Sequence, residues 1–259
     1  MTPAEENVRV LIEAWKVIVG RLPEAEIKHA EAVATMFGHV PLPFFNLSVP
    51  DRPLVDAADL RRALAVAQDR AKSCRHGSMI GLCEEWAPEN WEPVAVEAGF
   101  SRAINLTWMT AGELLPPRRA LAGLEFRRVS DEATARDLAT INAQAYGMPQ
   151  SLFECICNLH LWREDSFGYV GYAGGQAVTA ASAFPVAGTM YIALVATLPG
   201  AHGKGYAEAV MRHTIERSRS AMGVGRRITL HASDMGAPLY RAMGFEASST
   251  AALLVHSGT

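Results

Sequence analysis

Residues Met190–Arg219, MYIALVATLPGAHGKGYAEAVMRHTIERSR, join an apolar run to a glycine-dense turn and then to an amphipathic helix. The apolar run ends just before Pro199, and the helix begins directly after the glycines. A strand, a glycine turn and a helix N-terminus in this order bring backbone N–H groups and the positive end of the helix dipole to one point. The segment therefore predicts a binding site for an anionic phosphate group.

The residues on either side of this turn indicate a buried strand–helix–strand unit. The strand has apolar side chains on both faces, which is typical of a central strand covered on both sides. The helix has one apolar stripe, and Glu208 and Arg212 are predicted to form an exposed i,i+4 ion pair. A strand predicted over Arg226–Ala232 completes a crossover of the usual right-handed kind.

Length and composition place the chain among globular proteins with one large domain or two ordinary ones. Its 259 residues are 49% hydrophobic and 20% charged, and the formal net charge is -3. This balance argues against nucleic acid as the main partner. No apolar run approaches the roughly 20 residues of a membrane-spanning helix. The N-terminal MTPAEENVRV lacks an apolar signal segment, so we expect a cytoplasmic protein that does not bind membranes.

The cysteines give no support for a metal site. None of Cys74, Cys83, Cys155 and Cys157 forms a C-x-x-C pair. Metal sites are usually built from such pairs or from a matched second cluster. Cys155 and Cys157 could be combined with His160, but cysteine is more often a small buried hydrophobic residue. We therefore expect free thiols and no bound metal.

The order of predicted elements indicates two similar halves. Each half contains the pattern Pro, five residues, Gly-Phe and then a strand: PVAVEAGF at 93–100 and PLYRAMGF at 238–245. The tract between the halves has paired prolines and arginines, as linkers often do. The predicted domains are therefore 1–115 and 124–259, with a linker over 116–123. Only the second half contains the glycine turn, so one active site is expected rather than two.

Local patterns predict four further features. Residues 30–37 are predicted to be one strand, and Ser130 is predicted to be the N-cap of the helix that follows it. Residues 150–163 are predicted to form a helix, because Leu152, Ile156 and Leu159 recur at helical spacing. A final strand is predicted over residues 250–255.

Two common phosphate-binding motifs do not fit the glycine turn. A P-loop needs G-x-x-x-x-G-K-[ST], but here Gly205 follows Gly203-Lys204, and the preceding Gly200 is too close. A dinucleotide fingerprint needs G-x-G-x-x-G, and Glu208 occupies its last glycine position. Backbone N–H groups from Gly203 to Ala207 can still approach a pyrophosphate, because glycine leaves no Cβ in the way.

The turn resembles the R/Q-x-x-G-x-G/A loop of the GNAT acetyltransferase superfamily. His202-Gly203-Lys204-Gly205-Tyr206-Ala207 has Gly205 and Ala207 in place, with histidine at the first position. Downstream, ASDMGAPLYRAMGF resembles the family's A-x-x-L-Y-x-x-x-G-F ending. The resemblance covers about residues 124–256 and extends to the first half as a degenerate copy, as in tandem GNAT proteins. It implies an α/β (α+β) fold of two GNAT-like domains. Each would be a mixed, largely antiparallel sheet with flanking helices and a strand–helix–strand crossover.

The resemblance also implies a function and a set of site residues. It implies transfer of an acetyl group from acetyl-CoA, or another acyl-CoA, to an amine by direct attack. The implied CoA-binding residues are Val195, Ala196, Thr197, His202, Gly203, Lys204, Gly205, Tyr206, Ala207 and Ser233.

Tyr240 matches the tyrosine of the family's ending and is the implied general acid. No Asp or Glu stands in the strand before the turn as a general base. The missing base and the histidine at position 202 motivate an alternative, a CoA-binding sensor or scaffold without turnover. The acceptor is left open between a small amine, an antibiotic, an amino acid and a protein N-terminus.

Overall fold

The computed structural model describes residues 1–120, 123–163, 165–223 and 227–256. Contacts divide the chain into two compact units. The first contains Met1–Met109, His231–Ala237 and the residues from Ala247 onward. The second contains Thr110–Leu230 and Pro238–Glu246. The predicted domains 1–115 and 124–259 were defined as two copies of one fold, whereas these units are defined by contacts. The predicted division into domains therefore stays a prediction.

The first unit is a mixed sheet flanked by helices. In sheet order its strands are β1 (Glu26–Ala30), β2 (Val33–Phe37), β3 (Asn46–Pro50), β4 (Met79–Cys83), β11 (Glu246–His256) and β5 (Phe100–Ala111). Its helices are α1 (Pro3–Val19), α2 (Ala57–Ala71) and α3 (Trp91–Glu97). Strands β3 and β4 are parallel, whereas β1–β2, β2–β3 and β4–β11 are antiparallel pairs.

The second unit has the same kind of architecture. In sheet order its strands are β10 (Ile228–Ala232), β9 (Thr189–Thr197), β8 (Gln176–Val186), β7 (Phe167–Ala173) and β6 (Leu124–Arg128). Its helices are α4 (Glu132–Ala145), α5 (Tyr206–Met222) and α6 (Ala237–Ala242). Strands β9 and β10 are parallel and joined through α5, and the remaining pairs are antiparallel. The predicted fold class, mixed sheets with flanking helices and a strand–helix–strand crossover, is confirmed.

Side-chain caps fix the start of several helices. Helix α1 begins with a capping box, in which Thr2 Oγ1 accepts from Glu5 N at 3.2 Å and Glu5 Oε2 accepts from Thr2 N at 2.7 Å. Helix α4 is capped by Asp131, whose Oδ1 accepts from Thr134 N at 2.8 Å. The prediction of Ser130 as this cap is therefore wrong by one residue. A carboxylate accepts helix N–H groups more strongly than a hydroxyl does.

Two predicted elements differ from the observed ones. The strand expected over residues 30–37 begins only at Val33, because Glu31 and Ala32 form a turn with φ values of 48° and 63° that joins β2 to β1 in a hairpin. The helix expected over residues 150–163 is replaced by 3-10 segments over Gln150–Cys157 and Leu159–Leu161. Asn158 separates these segments, and its side chain accepts a hydrogen bond from His160 N at 3.0 Å. Local side-chain bonding of this kind competes with a continuous helix.

The last strand and the strand before it differ from their predicted ranges. The final strand is longer than the predicted 250–255, and Ala251–Val255 pair with Met79–Cys83 of β4. Of the strand predicted over 226–232, residue 226 lies outside the described residues. Within the described ranges, no helix is long and apolar enough to cross a membrane.

Candidate acyl-CoA site

Strand β9 contains a bulge where it pairs with β8. Ala180 pairs with Ala196 and Ser182 pairs with Ala193, so two residues of β9, at 194 and 195, stand opposite a single residue of β8. Leu194 accommodates the extra residue with a φ of 52°, a backbone region that side chains other than glycine rarely adopt. A bulge of this kind takes backbone groups out of the regular ladder and leaves them available for other partners.

Two hydroxyl groups of β8 hold the bulged strand in place. Ser182 Oγ donates to the carbonyl oxygen of Ala193 at 2.6 Å, and Thr179 Oγ1 donates to that of Ala196 at 2.9 Å. Both side chains are fully buried. Neither contact was predicted, since the apolar alternation of β9 looks the same with or without a bulge. A serine and a threonine in an otherwise apolar buried strand were the available signal.

The other edge of β9 is paired for only part of its length. Its register with β10 runs from Met190–Ile228 to Ile192–Leu230. Strand β9 itself continues to Thr197. The predicted cofactor residues Val195, Ala196 and Thr197 therefore lie beyond the last β10 pair, where an extended ligand chain could pair with the backbone.

The turn after β9 leads directly into α5. Gly203 and Gly205 have φ values of 74° and 78°, and Gly205 is the helix N-cap. A Cβ placed on Gly203 would meet nothing within 4 Å, so the space above this residue is open. Helices α1, α2 and α4 are capped by side chains, whereas Gly205 provides no side-chain cap. The first N–H groups of α5 therefore stay available to a ligand.

His202 is held against the strand that precedes the turn. Its Nε2 lies 2.8 Å from the carbonyl oxygen of Thr197. A carbonyl only accepts hydrogen bonds, so Nε2 carries the proton of this contact, and in the neutral ring Nδ1 is then an acceptor. His202 thus fastens the turn to the end of β9. Its predicted contact with a phosphate stays a prediction.

Tyr240, the predicted general acid, lies on α6 and is buried, with 8% of its surface exposed. Its ring packs edge-on against Phe245 with the centroids 5.9 Å apart. Burial, with a smaller contribution from Tyr146, raises the pKa of Tyr240 above its ordinary value. The phenol therefore stays protonated at neutral pH, which a proton donor requires.

Tyr240 belongs to a group of three phenols. Tyr191 of β9 is buried, and the pKa of Tyr191 is raised by burial and then by Tyr240 and Tyr146. Tyr146, at the end of α4, is 50% exposed, yet desolvation also raises its pKa. A residue that is open to solvent but crowded by protein is expected in a concave surface. Tyr146 and Phe153 stack in parallel with centroids 6.3 Å apart.

Ser233 is the predicted cofactor residue that lies farthest along the chain. It follows the end of β10, and its Oγ accepts a hydrogen bond from Gly236 N at 3.3 Å. Ser233 belongs to the first compact unit, whereas the strand, the turn, α5 and Tyr240 belong to the second. The structure thus collects the other predicted site residues in one unit.

The second unit has the features that a CoA donor needs. The open space at Gly203 and the uncapped N-terminus of α5 fit a pyrophosphate, and the unpaired length of β9 fits an extended pantetheine arm. Among the described residues, no group of three or more His, Cys, Asp or Glu side chains is arranged to hold a metal ion. All four cysteines are free thiols.

Comparison with known proteins gives the class of enzyme. Residues 136–245 match the model of the Acetyltransferase (GNAT) family. The protein is therefore an acyltransferase whose acyl donor is an acyl-CoA. The matched segment, which contains β9, the glycine turn, α5 and Tyr240, belongs to the GNAT family. No curated protein matches the sequence.

Solved structures share the fold over most of the chain. A GCN5-related N-acetyltransferase from Kribbella flavida is 19% identical with a TM-score of 0.75, and the match covers 100% of this chain and 97% of that one. A GCN5-related N-acetyltransferase from Sphaerobacter thermophilus is 15% identical, with a TM-score of 0.58 and coverage of 97% and 91%. A tandem GNAT protein from the clavulanic acid biosynthesis pathway is 12% identical, with a TM-score of 0.54 and coverage of 90% and 83%. At these identities the likeness concerns the fold alone.

Proposed function

We propose that the protein transfers an acetyl group from acetyl-CoA to an amine acceptor by direct attack. The observation that carries this proposal is the uncapped N-terminus of α5. There Gly203 and Gly205 take left-handed conformations next to the end of β9. The open space at Gly203 would admit a pyrophosphate to the backbone N–H groups.

In this proposal the backbone from Gly203 to Ala207 binds the pyrophosphate. The unpaired edge at Val195, Ala196 and Thr197 binds the pantetheine arm and sets the direction of the thioester. Acetyl-CoA supplies an activated acyl group, whose carbonyl oxygen gains negative charge during transfer. Backbone N–H groups released by the bulge at Leu194 are suitable donors for that charge.

The proton balance assigns a role to Tyr240. A C–N bond forms to the acceptor, the C–S bond breaks, and the departing sulfur needs a proton that Tyr240 Oη can provide. The amine must lose a proton, and β9 contains no Asp or Glu to take it. We propose that the amine attacks in its neutral form and that water accepts the one proton that it loses as the C–N bond forms. The half-exposed Tyr146, close to Tyr240, is a suitable wall for the acceptor.

The first half is proposed to be a degenerate copy without a cofactor. The N-terminus of α2 is occupied by the chain's own carboxylates. Asp56 Oδ1 accepts from Asp59 N at 2.8 Å, and Asp59 Oδ2 accepts from Val55 N at 3.1 Å. Hydrogen bonds from Arg52 hold the pKa of Asp59 well below its ordinary value. A second anion at this helix end would meet a charged carboxylate and would be repelled.

The test combines binding with turnover. Calorimetry would measure the affinity for CoA, and a thiol reagent would detect CoA released from acetyl-CoA in the presence of a panel of amines. We expect binding, and thiol release that depends on one class of amine. Binding without release above background would favour the sensor or scaffold. Absence of CoA binding would refute the proposed site.

The variant Tyr240→Phe tests the acid directly. It removes one hydroxyl and keeps the ring that packs on Phe245. We expect nearly unchanged CoA binding and a turnover lower by about tenfold or more. Tyr172→Phe is the matched control, since Tyr172 is also buried and its hydroxyl contacts Asp137 rather than the site. Equal turnover in the two variants would exclude the role of Tyr240.

A further inference from the structure

The segment that leads into the second half is fixed to the second unit. Leu115 N donates to the carbonyl oxygen of Met243 at 2.9 Å. Arg212 Nη2 donates to the carbonyl oxygen of Leu115 at 2.6 Å, and Arg219 Nη2 donates to that of Gly112 at 3.1 Å. A Cβ on Gly244 would lie 3.0 Å from the Leu115 side chain, so the glycine gives this segment room to pass. Gly112 and Leu115, which the predicted boundary put at the end of the first domain, therefore contact α5 and the end of α6 within the second unit.

Arg212, which contacts Leu115, also belongs to the ion pair that was predicted on an exposed face of the helix. Glu208 and Arg212 do form the predicted i,i+4 pair, with Arg212 Nη2 2.8 Å from Glu208 Oε1. Glu208 is buried and Arg212 is partly exposed, so the pair is less open to solvent than predicted. Because Arg212 neutralises Glu208, the carboxylate in the first turn of α5 adds little repulsion toward an incoming anion.

The same segment brings a guanidinium group to the glycine turn. Arg119 Nη1 donates to the carbonyl oxygen of Gly203 at 3.2 Å, and both residues belong to the second unit. A guanidinium has five N–H donors, and this single contact leaves donors for another acceptor. Arg119 is exposed, so a ligand can reach it. The turn thus has a positive charge beside it that does not come from its own sequence.

The turn itself lacks an equivalent group. Position 202 holds histidine, and its Nε2 proton is directed to the carbonyl oxygen of Thr197. A neutral ring in that arrangement offers only an acceptor nitrogen to a phosphate. A guanidinium, by contrast, always carries its charge and matches the geometry of phosphate oxygens. Arg119 therefore provides a guanidinium, which the turn with its His202 and Lys204 does not contain.

We propose that Arg119 binds the pyrophosphate of the acyl-CoA, and that the 112–119 segment is part of the cofactor site. This inference rests on the proposed function, since it assumes that the turn binds CoA. Arg119 keeps its contact with Gly203 O and directs its remaining N–H groups to the phosphate oxygens. The positive charges at the site are then Arg119 and the adjacent Lys204, next to the N-terminus of α5.

The experiment measures CoA affinity by calorimetry in Arg119→Gln. The matched control is Arg118→Gln, which removes the same charge one residue earlier. We expect Arg119→Gln to weaken CoA binding by about fivefold to tenfold, and Arg118→Gln to change it by less than about twofold. Arg119→Lys keeps the positive charge but loses the paired N–H donors of the guanidinium. Its CoA affinity should therefore lie between those of Arg119→Gln and the wild type. The loss of CoA affinity in Arg119→Gln should become smaller as the salt concentration is raised.

Two truncated ligands locate the contact. 3′-Dephospho-CoA retains the pyrophosphate, so Arg119→Gln should impose the same penalty on it as on CoA. Pantetheine lacks the pyrophosphate as well as the 3′-phosphate and the adenosine, so the variant and the wild type should bind it equally. A penalty that disappears with 3′-dephospho-CoA would overturn the assignment to the pyrophosphate. Equal CoA binding by both glutamine variants would overturn the role of Arg119 while leaving the proposed function intact. A wild-type protein that binds no CoA would refute the proposed function itself.

Trypsin gives a readout that does not depend on turnover. The enzyme cuts after Arg118 and Arg119, so a pyrophosphate held by Arg119 should slow cleavage in this segment. We expect CoA, but not pantetheine, to protect the wild-type protein. In Arg119→Gln, trypsin can still cut after Arg118. CoA should not slow this cleavage, even at a concentration that saturates the variant. Equal protection of wild type and variant would contradict the proposal.

Discussion

The variant Gly203→Ala separates the cost of a backbone conformation from the cost of a blocked ligand site. Gly203 has a φ of 74°, and a Cβ at this position would meet no protein atom within 4 Å. The added methyl group therefore strains the backbone without a clash in the free protein. In the bound state, the same methyl would occupy the space through which a pyrophosphate approaches the N–H groups of the turn.

Each part of this cost has its own magnitude. A left-handed conformation costs a residue other than glycine about 1–2 kcal/mol, and alanine recovers roughly half a kcal/mol through a less flexible unfolded chain. We therefore expect a loss of about 1 kcal/mol in the free energy of unfolding, or a Tm lower by about 2–4 °C. Losing one N–H contact with a charged phosphate costs about 1.5–3 kcal/mol, which weakens CoA binding by about 10- to 100-fold.

Gly188→Ala is the matched control for this experiment. Gly188 lies in the hairpin between β8 and β9, has a φ of 78°, and also has nothing within 4 Å of an added Cβ. Its variant should therefore lose the same stability and keep its affinity for CoA. Thermal unfolding without ligand and calorimetry with CoA measure the two quantities. Equal CoA affinity in the two variants would refute the assignment of the turn as a phosphate cradle. A much larger loss of stability in Gly203→Ala would show that the space above it is not open.

Three further predictions concern single side chains. His202→Ala removes the hydrogen bond to the Thr197 carbonyl and should weaken CoA binding, as measured by calorimetry, whereas His202→Gln keeps a donor and should recover part of the loss. Burial lowers the pKa of His231 to about 3, so the stability of the folded state should be lost as pH falls from about 6.5. One proton gives a slope of at most about 1.4 kcal/mol per pH unit, and His231→Gln should flatten this slope in unfolding titrations. Burial raises the pKa of Tyr191, so stability should instead be lost as pH rises above about 10, and an unchanged alkaline slope in Tyr191→Phe would contradict this.

The glycine turn could be predicted from sequence because its signal is local. The predicted turn leads into the predicted helix: Gly203 and Gly205 have positive φ values, and α5 begins directly after them. The bulge at Leu194 has no such signal, since an apolar residue there fits a regular buried strand equally well. The positive φ is imposed by the pairing of β9 with β8 and by the hydroxyls that hold its carbonyls.

Other features depended on contacts that no local pattern encodes. The hairpin at Glu31 and Ala32 uses two positive φ values without a glycine or asparagine, which are the usual markers of such a turn. Arg119 and Leu115 lie in a proline-rich tract that is typical of a linker, and their bonds to Gly203 and Met243 connect residues far apart in sequence. Only the folded chain shows these contacts.

Strand β11 has a consequence for the way in which the chain folds during synthesis. It comes from the last part of the described chain, yet it pairs with β4 in the first unit. Ser249 of this strand also binds Asn7 of α1 across 242 residues of sequence. On the ribosome, the edge of β4 that pairs with β11 must therefore stay unpaired until residues 251–255 have emerged. Although the first half of the sequence is made first, its unit is completed only after the second unit's strands β6 to β10 have been made.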